Sequence, residues 1–202
     1  MRLPDGYLDV PEGKIAAIVT SLEMRASPPI RAERADAPWR LERFERPALD
    51  WYRDLYRRVG QEWLWFSRLQ LTDDALAPIL HDPAIEIHAL IAESGRAEGL
   101  LELDFRVAGE CELAFFGVAA PLIGTGAGRW LMNRALERAW APPIGRFWVH
   151  TCSFDHPDAL AFYRRSGFVP FRRQIEIADD PRLAGLAPVA AAAHVPIIEG
   201  GR

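Results

Sequence analysis

The sequence predicts a mixed α/β fold, with a mainly antiparallel central sheet, helices on both faces and one parallel strand pair. Three observations carry this reading. Ile85–Ile91 and residues 99–107 and 113–118 are strand-like runs joined by turns short enough for an antiparallel meander. The third run leads through Gly124-Thr125-Gly126-Ala127-Gly128 into a pattern of helical period. Arg146–Cys152 reads as a strand beyond that helix, so it should lie parallel to its predecessor by a right-handed crossover.

In chain order, Ile15-Ala16-Ala17-Ile18-Val19 within Lys14–Met24 predicts the first strand, ended before Pro28-Pro29. Residues 31–46 alternate charges around Pro38 and Trp39 and read as an exposed connection with room for a short turn of helix. Pro47 suits a first helical turn, and Leu49, Tyr52, Leu55, Tyr56 and Val59 then form one apolar face that ends at Gly60. Residues 61–68 crowd Trp63, Trp65 and Phe66 together, either as core packing or as the aromatic wall of an acceptor pocket. Thr72 reads as an N-cap with Asp73 and Asp74 in the first turn of a helix kinked at Pro78 and stopped near Asp82-Pro83.

After the meander, Leu131, Met132, Ala135, Leu136 and Ala139 recur at helical spacing until Pro142-Pro143. Pro157 and Asp158 open another helix bearing Ala159, Leu160, Phe162 and Tyr163, with Arg164 and Arg165 in its last turn and Gly167 as its C-terminal cap. Residues 168–177 form the last predicted strand. The tail, 178–202, is rich in Ala and Pro, and Val195-Pro196-Ile197-Ile198 can pack on the domain. With no repeat or low-complexity linker, the 202 residues read as one domain.

The net charge of -4 and the absence of an uninterrupted basic cluster argue against a nucleic-acid partner and favour a cationic one. Met1-Arg2-Leu3-Pro4-Asp5-Gly6 lacks the apolar core of a signal peptide, and no apolar run reaches the roughly 18 residues of a membrane span. The expectation is a cytoplasmic protein with no membrane partner. Cys111 and Cys152 read as reduced thiols, and no His/Cys grouping suggests a metal.

A glycine turn that opens a helix gathers unpaired N–H groups and partial positive charge, which suits phosphate. The Walker loop needs a lysine, but the chain's single lysine is Lys14; the dinucleotide fingerprint needs G-x-G-x-x-G, but the spacing here is G-x-G-x-G. Ile123-Gly124-Thr125-Gly126-Ala127-Gly128 resembles the acetyl-CoA loop of the GNAT superfamily of N-acetyltransferases, with Ile123 where the family carries Gln or Arg. The stretch from His156 to Phe168 resembles its second signature: Ala159, Tyr163, Gly167 and Phe168 match, and His156 stands where Asn is usual.

The resemblance implies a GNAT-like fold with a splayed parallel strand pair, an acetyl-CoA core at 111–168, and direct transfer of acetyl from the co-substrate acetyl-CoA to a primary amine. It implies that pyrophosphate meets the N–H groups of Ile123, Gly124, Thr125, Gly126, Ala127, Gly128 and Arg129, with the Arg129 side chain as a further donor and His156 nearby. Phe116, Gly117 and Val118 would pair with the pantetheine arm across an opening facing Val149-His150-Thr151, and the Val118 N–H would meet the charge developing on the acyl oxygen. Gly117 is small either to admit the cofactor or as a strand irregularity.

Tyr163 is the implied general acid. Glu112 is the candidate water-mediated base or else a solvated residue; strand alternation predicts that it shares a face with Ala114, Phe116 and Val118. His150 is the second candidate base. Asp155 and His156 can instead cap the following helix. Direct transfer leaves Cys152 without a nucleophilic role.

A non-catalytic acyl-CoA sensor is the alternative motivated by Ile123 and His156, whereas the loop spacing disfavours a nucleotide-dependent oxidoreductase. The acceptor range spans arylalkyl amines, polyamines, amino acids, antibiotic amines and protein N-termini. A homodimer is compatible with the resemblance.

Overall fold

Apolar and β-branched runs give seven strands: β1 (Lys14–Met24), β2 (Arg40–Phe44), β3 (Ile85–Ile91), β4 (Ala97–Asp104), β5 (Glu110–Val118), β6 (Arg146–Cys152) and β7 (Val169–Asp179). The computed structural model describes residues 5–199; residues 1–4, from the amino-terminal stretch read above, and 200–202, the end of the tail, lie outside the described residues. The strands form one sheet in the order β2-β3-β4-β5-β6-β1-β7. Only β5 and β6 are parallel; the other neighbours are antiparallel. The helices are α1 (Leu49–Gly60), α2 (Asp73–Leu80), α3 (Ala127–Ala139) and α4 (Ala159–Arg165).

Alternation along the strands builds a core on each face. On one, Tyr52, Leu55 and Tyr56 of α1 and Leu76 and Leu80 of α2 cover Ile87, Ala89 and Leu100. On the other, Leu131, Ala135 and Leu136 of α3 and Tyr163 of α4 cover Leu22, Leu101, Leu113 and Phe147. Each fully buried large apolar side chain contributes about 1.5–3 kcal/mol, so the two helical layers anchor the sheet from both sides. A third cluster joins Ile15 and Ala17 to Leu64, Phe154, Ala191 and Ala192.

Several sequence expectations are corrected. Residues 40–44, read as exposed connection, form β2, an edge strand paired to β3. Its Arg and Glu residues point to solvent and only Leu41 and Phe44 are half-buried, a pattern that pairing decides rather than composition. Thr72 occupies the N-cap of α2, but its side chain makes no capping hydrogen bond. The strand expected at 99–107 ends at Asp104, whose carboxylate accepts from the Arg106 backbone N–H at 2.9 Å and turns the chain. In the tail, Val195 packs, but the Ile198 side chain is exposed while its carbonyl accepts from Gly13 N–H at 2.8 Å.

The most consequential departure is in β5. Glu102 pairs with Phe115 but Leu103 with Leu113, leaving Ala114 as the extra residue of a β-bulge. Beyond it the alternation inverts: Phe116 and Val118 pack with Cys111 and Leu113 on the α3 face, while Phe115 packs on the α1 face. Glu112 therefore does not share a face with Phe116 and Val118.

On the α1 face, a Cβ at Gly60 would lie 2.2 Å from the Trp65 ring, and one at Gly117 would lie 2.6 Å from Val59 Cγ1 and 3.3 Å from Trp65. Gly117 is small because α1 and Trp65 lie against it, a packing reason that neither sequence reading of that glycine gave. Among the described residues no helix is long and apolar enough to cross a membrane.

Gly60→Ala should therefore lower stability by about 1–3 kcal/mol through overpacking against Trp65. The check is urea unfolding, with a lower midpoint at unchanged slope. Gly128→Ala should show no loss, because its Cβ would meet only Phe162 at 3.9 Å.

Candidate active site

β5 and β6 register at only three positions, Glu110↔Arg146, Cys111↔Phe147 and Glu112↔Trp148, and then part. The bulge at Ala114 lies just beyond the last pair and bends β5. A cavity of about 760 Å³ runs through the gap, from the glycine turn on the α3 side to the aromatic segment on the α1 side. Ala119 N–H bonds Glu98 O on β4 at 2.8 Å, so alternation turns the Val118 N–H away from β4, toward the gap.

At the first end, Gly124 and Gly126 adopt φ of +79° and +97°, the left-handed region that glycine enters freely, and α3 begins at Ala127. Ile123 N–H is bonded to Ala120 O at 3.2 Å and Thr125 N–H to Leu122 O at 3.3 Å. Ala127 N–H is held by Thr125 Oγ1 at 3.4 Å. The expectation that all seven loop N–H groups serve a ligand is thus narrowed. Those of Gly124, Gly126, Gly128 and Arg129 have no partner among the described residues.

The sequence missed the positive charge gathered here. Arg31, Arg34, Arg129 and Arg165 line this end of the cavity. Burial, and then the nearby Arg129 and Arg165 charges, push the Arg31 guanidinium below its usual range. Asn133 explains the gathering: its Nδ2 donates to Arg31 O at 2.8 Å and to Glu33 Oε2 at 2.9 Å, tying residues 31–34 to α3. Arg129 Nη1 donates to Ala32 O at 3.2 Å. Arg31 and Arg34 lie in the stretch read as exposed connection, and no sequence spacing links them to Gly126.

The other end is built by residues 61–68. Leu64 adopts a left-handed φ of 53°, held by its own burial beside Ile15, Ala17 and Phe154. The turn presents Trp63, Trp65 and Phe66 to the cavity. Trp65 Nε1 donates to Asp155 Oδ1 at 3.2 Å, so the segment straps across the opening to the far end of β6. Asp155 Oδ2 accepts from Thr151 Oγ1 at 2.7 Å and Cys152 N–H at 2.8 Å, which excludes it as the cap of α4. The strap is anchored by buried Glu102, which accepts from Tyr52 Oη at 2.5 Å and from Arg68 Nη2. His156 Nδ1 accepts from Asp158 N–H at 3.1 Å, and its ring lies 5.1 Å from that of Trp63.

Between the two ends, His150 Nδ1 lies 3.3 Å from Glu112 Oε1. Glu112 does not line the cavity; it lies in an adjoining groove of about 680 Å³ over β6, β1 and β7, and His150 and Glu176 border both spaces. The Glu112 carboxylate, accepting from the ring, raises the His150 pKa above its ordinary 6.5 against the opposing effect of burial, with Asp155 and Glu176 adding negative charge. Tyr163 lines the cavity from α4, and its phenol is pushed up by burial and then by the Asp155 carboxylate. Burial foremost pushes the Cys152 thiol up to about 12, which keeps it protonated. Among the described residues no three His, Cys, Asp or Glu side chains are grouped to hold a metal ion.

Because the folded pKa of His150 is raised, its contribution to stability is fully present below pH 6.5 and is lost as pH rises through the folded value. NMR titration of His150 should give a midpoint above 6.5 in the native protein and a lower one in Glu112→Gln. An unchanged midpoint would mean that Glu112 does not govern the ring.

Residues 45–168 match the family model described as the acetyltransferase (GNAT) family. Among curated protein sequences none is matched. Among solved structures, a GCN5-related N-acetyltransferase from Sphaerobacter thermophilus superposes with a TM-score of 0.56 at 16% identity, covering 84% of this chain and 53% of that one. A tandem GNAT protein from the clavulanic acid biosynthesis pathway gives 0.56 at 15% identity, covering 86% and 55%. A spermidine N-acetyltransferase from Vibrio cholerae gives 0.52 at 20% identity, covering 72% and 95%. The chain thus spans little more than half the length of the first two. With the family model covering most of the chain and the same fold in these structures, the chain belongs to the GNAT acetyltransferase family.

Proposed function

We propose that the protein is an N-acetyltransferase that moves the acetyl group of acetyl-CoA directly to a primary amine of a small molecule or protein. The observation that carries this reading is the cavity through the parted strands, cationic at its glycine turn and bordered by His150 and Tyr163 along its length. Its residues fit the co-substrate. Arg31, Arg129 and Arg165, with the N–H groups of Gly124, Gly126, Gly128 and Arg129, offer charge-assisted donors to phosphates and stand in for the side chain that Ile123 lacks. The unpaired edge of β5 at Phe116–Val118 offers backbone groups to the pantetheine amides.

Bound acetyl-CoA supplies an acyl group activated as a thioester. The remaining chemistry falls to residues of this chain. Glu112 and Glu176 draw an ammonium toward His150. With Nδ1 beside the Glu112 carboxylate, the ring keeps Nε2 as the base that takes the proton from the ammonium, while Glu112 orients the ring. This reverses the order of the two candidate bases given by the sequence. As the C–N bond forms and the C–S bond breaks, the Val118 N–H supports the acyl oxygen and the Tyr163 hydroxyl gives a proton to the departing sulfur. The raised phenol pKa keeps that proton in place at neutral pH.

Incubation of the purified protein with acetyl-CoA and a panel of primary amines should release free CoA thiol with at least one of them. Tyr163→Phe should lower turnover about 10²-fold or more while leaving acetyl-CoA affinity unchanged. Unchanged turnover would remove Tyr163 from the chemistry. Thermal stabilisation by acetyl-CoA and CoA without thiol release for any amine would favour the acyl-CoA sensor instead.

A further inference from the structure

The groove beside the cavity is crossed by one row of residues. β1 lies between β6 and β7, and its Ser21 pairs with His150 on one side and with Arg172 on the other. Residues opposite one another in antiparallel strands share a face, and all three of these line the groove. Two interstrand spacings put the Cα atoms of His150 and Arg172 roughly 10 Å apart, a gap that the long arginine side chain narrows. The register shifts beside this row: Ser21 pairs with Arg172 but Leu22 with Pro170, leaving Phe171 as the extra residue of a bulge. Bulges beside active sites re-aim side chains, and here Phe171 and Arg172 both line the groove.

The two arginines of the groove differ in what they have left to offer. Arg146 is committed, its Nε donating to Glu23 Oε2 at 2.6 Å and its Nη1 to Glu110 Oε2 at 3.0 Å. Its guanidinium also lies 5.5 Å from the Trp148 ring centre and 4.8 Å from that of Phe171. Arg172 is exposed and pairs with no carboxylate among the described residues. The Ser21 hydroxyl likewise has no hydrogen-bond partner among them. Glu176 shares the face of Arg172 but lies four residues on, roughly 13 Å along the strand, too far to neutralise it. The carboxylates of Glu112 and Glu176 act on His150, while a free cation and a free hydroxyl stand across from it.

We propose that this groove binds the acceptor and that the acceptor is an α-amino acid, a substrate class that rests on acetyl transfer being the reaction. Its ammonium lies at His150, and its carboxylate accepts from the Arg172 guanidinium and the Ser21 hydroxyl. A guanidinium matches a carboxylate in charge and in fork geometry. A polyamine would set a second ammonium against Arg172, and an amine without a carboxylate would leave Arg172 unused. In the transfer the ammonium loses two protons as the C–N bond forms and the C–S bond breaks. One passes through His150 to solvent, and the other balances the proton that Tyr163 gives to sulfur, so the products are an N-acetylamino acid and CoA.

The test compares each common L-α-amino acid with the amine that lacks only its carboxylate, measuring kcat/KM by release of CoA thiol. In the native protein the amino acid of an accepted pair should exceed its amine about 10-fold or more, as charge-assisted hydrogen bonds to a carboxylate require. Arg172→Gln, at an exposed position, should remove most of that preference through a raised KM for the amino acid, and Arg172→Lys should keep part of it. Calorimetry should show the same amino acids binding the protein–CoA complex, about 10-fold more weakly in Arg172→Gln.

Equal or better use of the carboxylate-free amines, or a preference that Arg172→Gln leaves intact, would overturn the proposal while acetyl transfer stood. Amino-acid binding that depends on Arg172 without thiol release would keep the carboxylate site and overturn acetyl transfer. Neither binding nor release would overturn both.

Discussion

The parting of β5 from β6 is the constraint on which the site depends. Parallel neighbours usually stay paired along their length, because an unpaired backbone group taken from water costs free energy comparable to a lost hydrogen bond. Here pairing stops after Glu112↔Trp148, and the bulge at Ala114 bends β5 away. The open edge survives because both sides of the gap are braced. α3 and α4 pack Leu131, Ala135 and Tyr163 against one face. On the other, Trp65 fills the space left by Gly60 and Gly117 and reaches over to Asp155.

That bracing also sorts charge along the cavity. Arginines from three parts of the chain, Arg31, Arg129 and Arg165, converge on the glycine turn because Asn133 ties the 31–34 segment to α3. The carboxylates of Glu112, Asp155 and Glu176 surround His150 at the other side of the gap. The positive and negative groups are thereby held apart along one space, a separation that suits the anionic co-substrate and cationic acceptor of the proposed function.

The glycine turn, the helix after it and the Tyr163-to-Phe168 signature were legible in the sequence because each is local, with residue types fixed by turn sterics or helical period. Most strands were legible too, with ends displaced by a few residues. What sequence reading missed depends on pairing between distant segments. β2 is a strand only because β3 lies beside it. The bulge at Ala114 follows from the register with β4, and it inverted the predicted face of Phe116 and Val118. Arg31 entered the site through a hydrogen bond to a residue on α3, and the contact of His150 with Glu112 required two strands to be parallel and in register.

In the proposed function the gap between β5 and β6 receives acetyl-CoA with its phosphates on the glycine turn. Amide hydrogen exchange of the intact protein with and without acetyl-CoA tests this residue by residue. Slowed exchange is expected at Val118 and at Gly124, Gly126, Gly128 and Arg129. Unchanged exchange at these amides under saturating acetyl-CoA, with slowing confined to other parts of the sheet, would contradict it.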